Sequence, residues 1–408
     1  MLGELTKLVI YVLICKLVYK MGSGLSEIYP FPCSLDSEKH FFLCKYMIMR
    51  LKLKKQILSL FVMFVFGSCT FNNGVKFSNS IEAPIVEHKQ LTVLNDTSLW
   101  NFPQAIGVTD SFLIVLDNYD GLFFRTYSLD GKPLTAFGNR GQGPGEFLNV
   151  RKFHLSSDNK LMYAFDEMSY KIVEYNVDSL LSEKKVFQEY LVDRKKIPQS
   201  NIPTILYDMI PLKEHLFLVK ANHGDFRFGI FEASDKRIVP VYRSFLEEGL
   251  DITSREELWS LFSGMTYTAL SPDKSKLVNA TYIGGIMEMF TVDGEREKIS
   301  LADSSYIYEP VYGLAQGAIP AFVVPDDKTQ IGFEDVCVTD ELIYAVLRDI
   351  GEHDKPTFIT VFDWKGNIQK RIEVGKRIEK ICIDEHRKRM YLLVSNKENG
   401  YELDVMTL

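Results

Sequence analysis

The 408 residues carry 47 basic and 54 acidic side chains, a formal charge of −7, with 46% hydrophobic and 25% charged positions. That balance belongs to a globular chain and excludes a disordered segment, a collagen and a polytopic membrane protein. A net acidic surface does not track phosphates, so nucleic acid is not an expected partner. The 28 Phe and 20 Tyr against 3 Trp point to a β-rich fold, because aromatic rings pack well on pleated surfaces.

The first predicted element is a targeting segment. Met49-Arg50-Leu51-Lys52-Leu53-Lys54-Lys55 leads into the apolar run Ile57–Phe66 and then Gly67-Ser68-Cys69. A basic stretch, about ten apolar residues and small residues at the break describe a secretory signal over residues 49–68. The run is too short to span a bilayer, which takes roughly 20 residues. The tripeptide before Cys69 resembles the lipobox of bacterial lipoproteins, whose cysteine is acylated after cleavage, although Phe66 stands where Leu or Val is usual. The competing reading is a buried strand that ends in a core cysteine. A signal works near a chain start, so residues 1–48, with Cys15, Cys33 and Cys44, read as an over-extended N-terminus and Met47 or Met49 as the true start.

Cleavage before Cys69 leaves 38 basic against 50 acidic side chains, a formal charge of −12. Of the cysteines, Cys69, Cys337 and Cys382 then remain, and the last two are open either to one disulfide or to two buried thiols. Residues 69–82 read as a polar tether without an acidic residue. Some Gram-negative lipoproteins that reach the cell surface carry acidic residues just after the cysteine. Their absence favours the periplasmic leaflet of the outer membrane. The expectation is a monomer that meets the membrane through its lipid anchor alone.

From residue 83 to 408, short alternating runs recur between turn residues, with no long amphipathic helix. One unit comprises Ala105–Val108, Phe112–Asp117 and Leu122–Leu129, with a turn at Asp130-Gly131. The same order returns five times. Taking Gly107, Phe153, Met209, Thr268, Val336 and Ile381 as equivalent points gives spacings of 46, 56, 59, 68 and 45. Six antiparallel sheets of four strands at such a period predict an all-β, six-bladed β-propeller. The sixth unit reaches Leu408 after three strands, so the run Ile85–Leu94 is expected to supply its outer strand and close the ring. A β-sandwich or two smaller β-domains are the alternatives.

Between the first two units lies Phe137-Gly138-Asn139-Arg140-Gly141-Gln142-Gly143-Pro144-Gly145-Glu146-Phe147. Its glycines permit positive φ and close backbone approach, but the Lys-Ser/Thr ending of a phosphate loop is missing. With this stretch the chain resembles the six-bladed propeller lipoproteins of Gram-negative bacteria, related to NHL-repeat and TolB-like propellers. They often carry Gly-x-Gly-Pro-Gly-Glu-Phe at this place. The resemblance implies a six-bladed fold and no assigned activity. As a structural crossover, the loop would have Glu146 cap backbone amides and Phe147 wedge between blades. As a functional one, it would offer Arg140 to an acidic ligand.

Signals of catalysis are sparse. His88, His154, His215, His223, His353 and His386 show no metal spacing, no G-x-S-x-G elbow occurs, and no cofactor or metal is expected. Asp117-Asn118-Tyr119-Asp120-Gly121 lacks the frame and terminal Glu of a calcium loop and reads as a turn. Arg140, His223, Arg227, Tyr267 and Arg348 lie near predicted blade ends, either lining a polar funnel or serving packing and surface roles. Two functions compete: a binding or scaffold module for a glycan, peptide or protein partner, and a hydrolase or lyase with its site on the channel axis. Inner-strand Asp, Glu, Asn and His clustered on one axial point would favour the enzyme. An axis of small and apolar residues would favour the binder.

Overall fold

The computed structural model describes residues 86–408 except 98–99, 199–203, 224–225, 243–265, 283–286, 294–299, 307–331, 348–356 and 397–399. The signal, Cys69 and the tether, and also Arg348, lie outside the described residues. Two strands precede the first blade, β1 (Val86–His88) and β2 (Thr92–Thr97). Blade 1 holds β3 (Pro103–Val108), β4 (Phe112–Tyr119), β5 (Leu122–Ser128) and β6 (Pro133–Asn139). Blade 2 holds β7 (Val150–Leu155), β8 (Leu161–Asp166), β9 (Lys171–Asn176) and β10 (Val186–Leu191). Blade 3 is β11 (Ile205–Lys213), β12 (Leu216–His223), β13 (Phe226–Glu232) and β14 (Arg237–Tyr242). Blade 4 is β15 (Thr266–Leu270), β16 (Lys276–Thr281), β17 (Met287–Asp293) and β18 (Ser300–Tyr306). Blade 5 is β19 (Phe333–Val338), β20 (Leu342–Leu347), β21 (Phe358–Asp363) and β22 (Ile368–Glu373). Blade 6 is β23 (Arg377–Asp384), β24 (Arg389–Asn396) and β25 (Gly400–Thr407).

The ring closes with a division of labour that the sequence reading did not separate. Thr92–Thr97 pairs antiparallel with β25 and completes blade 6. Val86–His88 instead runs parallel to β22 as a fifth strand on blade 5. The expected closing strand at 85–94 is therefore two strands, broken at Lys89–Leu91, and only the second closes the ring.

Packing explains why the middle strands read as continuous apolar runs. Phe112–Leu116 of β4 is wholly buried, because both faces of each blade lie against a neighbour. Six hydrophobic clusters fill the six clefts between successive blades, one of them joining Leu113, Val115 and Tyr127 of blade 1 to Tyr391, Leu393 and Leu403 of blade 6. Asp117 near the end of β4 and Asp166 at the end of β8 have a repeated job. Asp117 accepts from the main-chain N–H of Phe102 at 2.9 Å, and Asp166 from that of Leu148 at 2.7 Å. Each fully buried carboxylate thereby satisfies amides leading into the innermost strand of its blade. The stretch at Asp117–Gly121 is a two-residue hairpin, with Tyr119 opposite Leu122 and both Asp120 and Gly121 at positive φ (56° and 75°). That geometry belongs to the right-twisted hairpin turn.

The glycine-rich segment is the crossover from β6 to β7. Gly143 N–H donates to Glu146 Oε2 at 2.8 Å, and Lys171 Nζ donates to the carbonyls of Gly143 (3.1 Å) and Glu146 (2.7 Å). Phe147 is fully buried, edge-on to Phe123 and Phe124. Gly145 sits at φ +71°, and a Cβ there would come within 2.5 Å of Val186.

Candidate axial binding site

The innermost strands set the site. In β7, β15, β19 and β23 the first hairpin closes at Ser156, Ser271, Thr339 and Asp384. Three residues earlier stand Phe153, Thr268, Val336 and Ile381. In β3 the hairpin closes at Thr109, so the equivalent residue is Ile106 and not Gly107. Phe153, Met209, Val336 and Ile381 pack into the clefts between blades. Strand alternation then turns their predecessors toward the axis: Ala105, Lys152, Asp208, Tyr267, Asp335 and Lys380.

Contacts confirm the convergence, because they join blades that are not neighbours. Lys152 of blade 2 lies 5.6 Å from the ring centre of Tyr267 in blade 4, and Lys380 of blade 6 lies 4.5 Å from the same ring. Lys152 Nζ also donates to the Thr266 carbonyl at 3.2 Å, an acceptor shared with the buried Lys220 Nζ at 2.9 Å. Lys380 Nζ donates to the Glu334 carbonyl at 2.9 Å. His154 Nε2 is 2.8 Å from Asp208 Oδ1, and Lys152 Nζ is 3.8 Å from Asp208 Oδ2.

Above this floor extends an axial cavity of about 480 Å³. Its walls include Lys152, His154, Tyr267, Asp335, Cys337 and Cys382, and it reaches the turns that join first and second strands. Those turns are stitched to one another. Asn159 Nδ2 donates to Asp110 at 3.2 Å, Ser157 Oγ to the Pro272 carbonyl at 2.9 Å, and Arg387 to the Asp110 carbonyl at 2.6 Å.

Burial and charge pull the floor groups apart. Burial alone would lift Asp208, but attraction to His154, the hydrogen bond between them and the ammoniums of Lys152 and Lys220 hold its carboxyl well below the usual range. Burial pushes Asp335 up, with Lys380 only partly offsetting it. Lys220 is held far below an ordinary lysine by burial and by Lys152 beside it. Burial likewise keeps Tyr267 and both cysteines protonated by raising them. Cys337 and Cys382 are free thiols.

Of the candidate ligand residues whose side chains are described, Arg140, Arg227 and Tyr267, the last lines this cavity. Arg227 is corrected. It is 2% exposed between blades 3 and 4, where NH1 and NH2 donate to Glu288 Oε1 and Oε2 at 2.9 and 2.6 Å, so its guanidinium is committed to a carboxylate. Arg140 stands on the β6–β7 crossover, exposed, 5.8 Å from the Phe123 ring and off the cavity. The side chain of His223 lies outside the described residues. Lys152, His154, Asp208, Asp335 and Lys380 were missed. The signal that finds them is the one-residue offset from the repeat's core position. No group of three or more metal-ligating side chains occurs among the described residues.

A family model described as TolB-like 6-blade propeller-like matches residues 81–386. The chain belongs to that family. Within its fold, solved structures similar to this chain include a Bacteroides fragilis protein provisionally described as exported. It is 13% identical, with 79% of this chain and 98% of that one covered and a TM-score of 0.48. Another is a member of the duf4221 family from Bacteroides vulgatus, 10% identical over 78% and 97% of the two chains, with a TM-score of 0.46. No protein of curated function matches the sequence significantly.

Proposed function

We propose that the protein is a lipid-anchored cell-envelope propeller, held at the periplasmic face of the outer membrane through Cys69 after removal of residues 49–68, and that it works as a binding or scaffold module. Its ligand, a glycan, a peptide or a segment of a protein partner, enters the axial cavity. One observation carries this reading: side chains from blades 2, 3, 4, 5 and 6 converge beneath a cavity of about 480 Å³, a size suited to a small ligand or a few residues of a larger one.

The hydrolase or lyase reading draws its support from the His154–Asp208 pair, an imidazole oriented by a carboxylate. The nucleophiles beside it speak against that reading. Cys337 and Cys382 share the cavity with His154, but burial keeps both thiols protonated, and a protonated thiol is inert. The acids and the histidine at the axis count toward the enzyme, but no reacting group is placed on the His154–Asp208 pair, and the TolB-like fold suggests a binding or scaffold module, which decides for binding.

Saturation-transfer NMR against envelope oligosaccharides and peptides tests it, comparing wild type with Ala269→Trp, which fills the cavity from β15. The expected result is a ligand whose signal is lost in the variant while the melting temperature holds. A ligand indifferent to Ala269→Trp, or one that is turned over, refutes the reading. Palmitate labelling that persists in Cys69→Ala refutes the anchor.

A further inference from the structure

Two ammonium groups, from Lys152 and Lys220, donate to the single carbonyl oxygen of Thr266 at 3.2 and 2.9 Å. Two amines so placed compete for one acceptor, and no carboxylate among the described residues lies within hydrogen-bond distance of Lys152. The nearest carboxylate, Asp208, reaches Lys152 only at 3.8 Å, and its fully buried Oδ2 has no hydrogen-bond partner. Lys380, which lies over the Tyr267 ring, donates to a main-chain carbonyl, while the Glu334 side chain lies 3.8 Å from Arg377. The other acid facing the floor is Asp335, whose Oδ2 accepts from Ile381 N–H at 2.8 Å. Lys152 and Lys380 thus both stand at Tyr267 with no carboxylate within hydrogen-bond distance of either among the described residues. A main-chain carbonyl occupies one of the three N–H donors of an ammonium, so Lys152 and Lys380 each keep donors for the cavity they help to line.

We propose that the floor of the axial cavity is an oxyanion subsite, in which a carboxylate, phosphate or sulfate group of the ligand is held between Lys152 and Lys380. An oxyanion there accepts charge-assisted hydrogen bonds from both lysines and gives Lys152 a counter-charge beside the carbonyl it shares with Lys220. Burial and the neighbouring Lys152 depress Lys220, the response expected of an amine short of counter-charge. Asp335 is the one acid that competes for the same donors. The inference deepens the reading of the cavity as the ligand site and rests on it.

Calorimetric titration of the purified protein with sulfate, phosphate and succinate at pH 7 and low ionic strength is the test. Wild type is expected to bind at least one of them saturably, the preferred probe identifying the ligand's group as phosphoryl-like or carboxylate. Lys152→Gln and Lys380→Gln each weaken that binding by about tenfold or more. Asp335→Asn strengthens it by about threefold or more, a gain that misfolding does not produce. No saturable binding by wild type or Asp335→Asn overturns the subsite, as does binding unchanged in both lysine variants. A library ligand that binds Lys152→Gln and Lys380→Gln as well as wild type but not Ala269→Trp keeps the cavity as the ligand site and overturns only the oxyanion.

Discussion

Replacing Arg227 by Met removes a guanidinium from a dry interface between blades 3 and 4. Its two N–H···O contacts to Glu288, at 2.9 and 2.6 Å, are bidentate, and both side chains are about as buried as any in the protein, at 2% exposure. Asn279 Nδ2 also donates to Glu288 Oε2, at 3.1 Å. Without Arg227 the Glu288 carboxylate stays buried without its counter-charge, and breaking a pair of this kind costs about 3–5 kcal/mol. Removing both charges, Arg227→Met with Glu288→Leu, avoids the stranded ion. Its expected cost is below about 2 kcal/mol, most of it the acceptor lost to Asn279. Urea unfolding at pH 7, followed by far-ultraviolet circular dichroism on wild type, the two single variants and the double, closes the cycle. If Arg227→Met costs less than about 1 kcal/mol, or if the double variant is as damaged as the single, the interface account is wrong.

Gly145→Ala should destabilise by well over 1 kcal/mol, because φ of +71° is unfavourable and the new Cβ meets Val186 at 2.5 Å. Gly121→Ala, at φ +75° in open space, should cost only about 1 kcal/mol; equal losses in urea midpoints would refute the packing part of that argument. Burial lifts Asp335 above its unfolded value near pH 4. Its contribution to stability is therefore full below that pH and is lost as pH rises through the folded pKa. Asp335→Asn should raise the melting temperature at pH 7 relative to wild type but not at pH 4, and an equal offset at both would disprove it. Removal of residues 86–97 should bare the β25 edge and lower both melting temperature and solubility, and a truncated protein that stays soluble and equally stable would sink the closure.

The six-fold repeat was legible because each blade announces itself locally, through apolar runs like Phe112–Leu116 and turns like Asp130-Gly131. Register was not. Gly107 stands one residue past the equivalent position, and only the pairing partners of β3 and the cleft that Ile106 enters reveal it. The same gap hid the axial floor. Lys152, Asp335 and Lys380 are ordinary charged residues beside core positions, and only the ring geometry brings strands from separate blades to one ammonium's reach of Tyr267. Arg227 misled in the opposite sense, since a basic residue near a strand end gives no hint of an acid waiting on the next blade. The run at 85–94 was recognised as β, but its partners, β22 and β25, are chosen by three-dimensional proximity.

The split entry of the chain has a mechanical consequence. A pull on the segment preceding Val86 would be borne first by three residues running parallel to β22, aided by the ion pair of Glu87 with Lys370 (3.2 Å) and the contact of His88 Nδ1 with Glu373 (3.3 Å). Only after those give way does tension reach Thr92–Thr97 and the strand that shuts the ring. Under such a load β1 would part from blade 5 before the core between blades 6 and 1 is stressed.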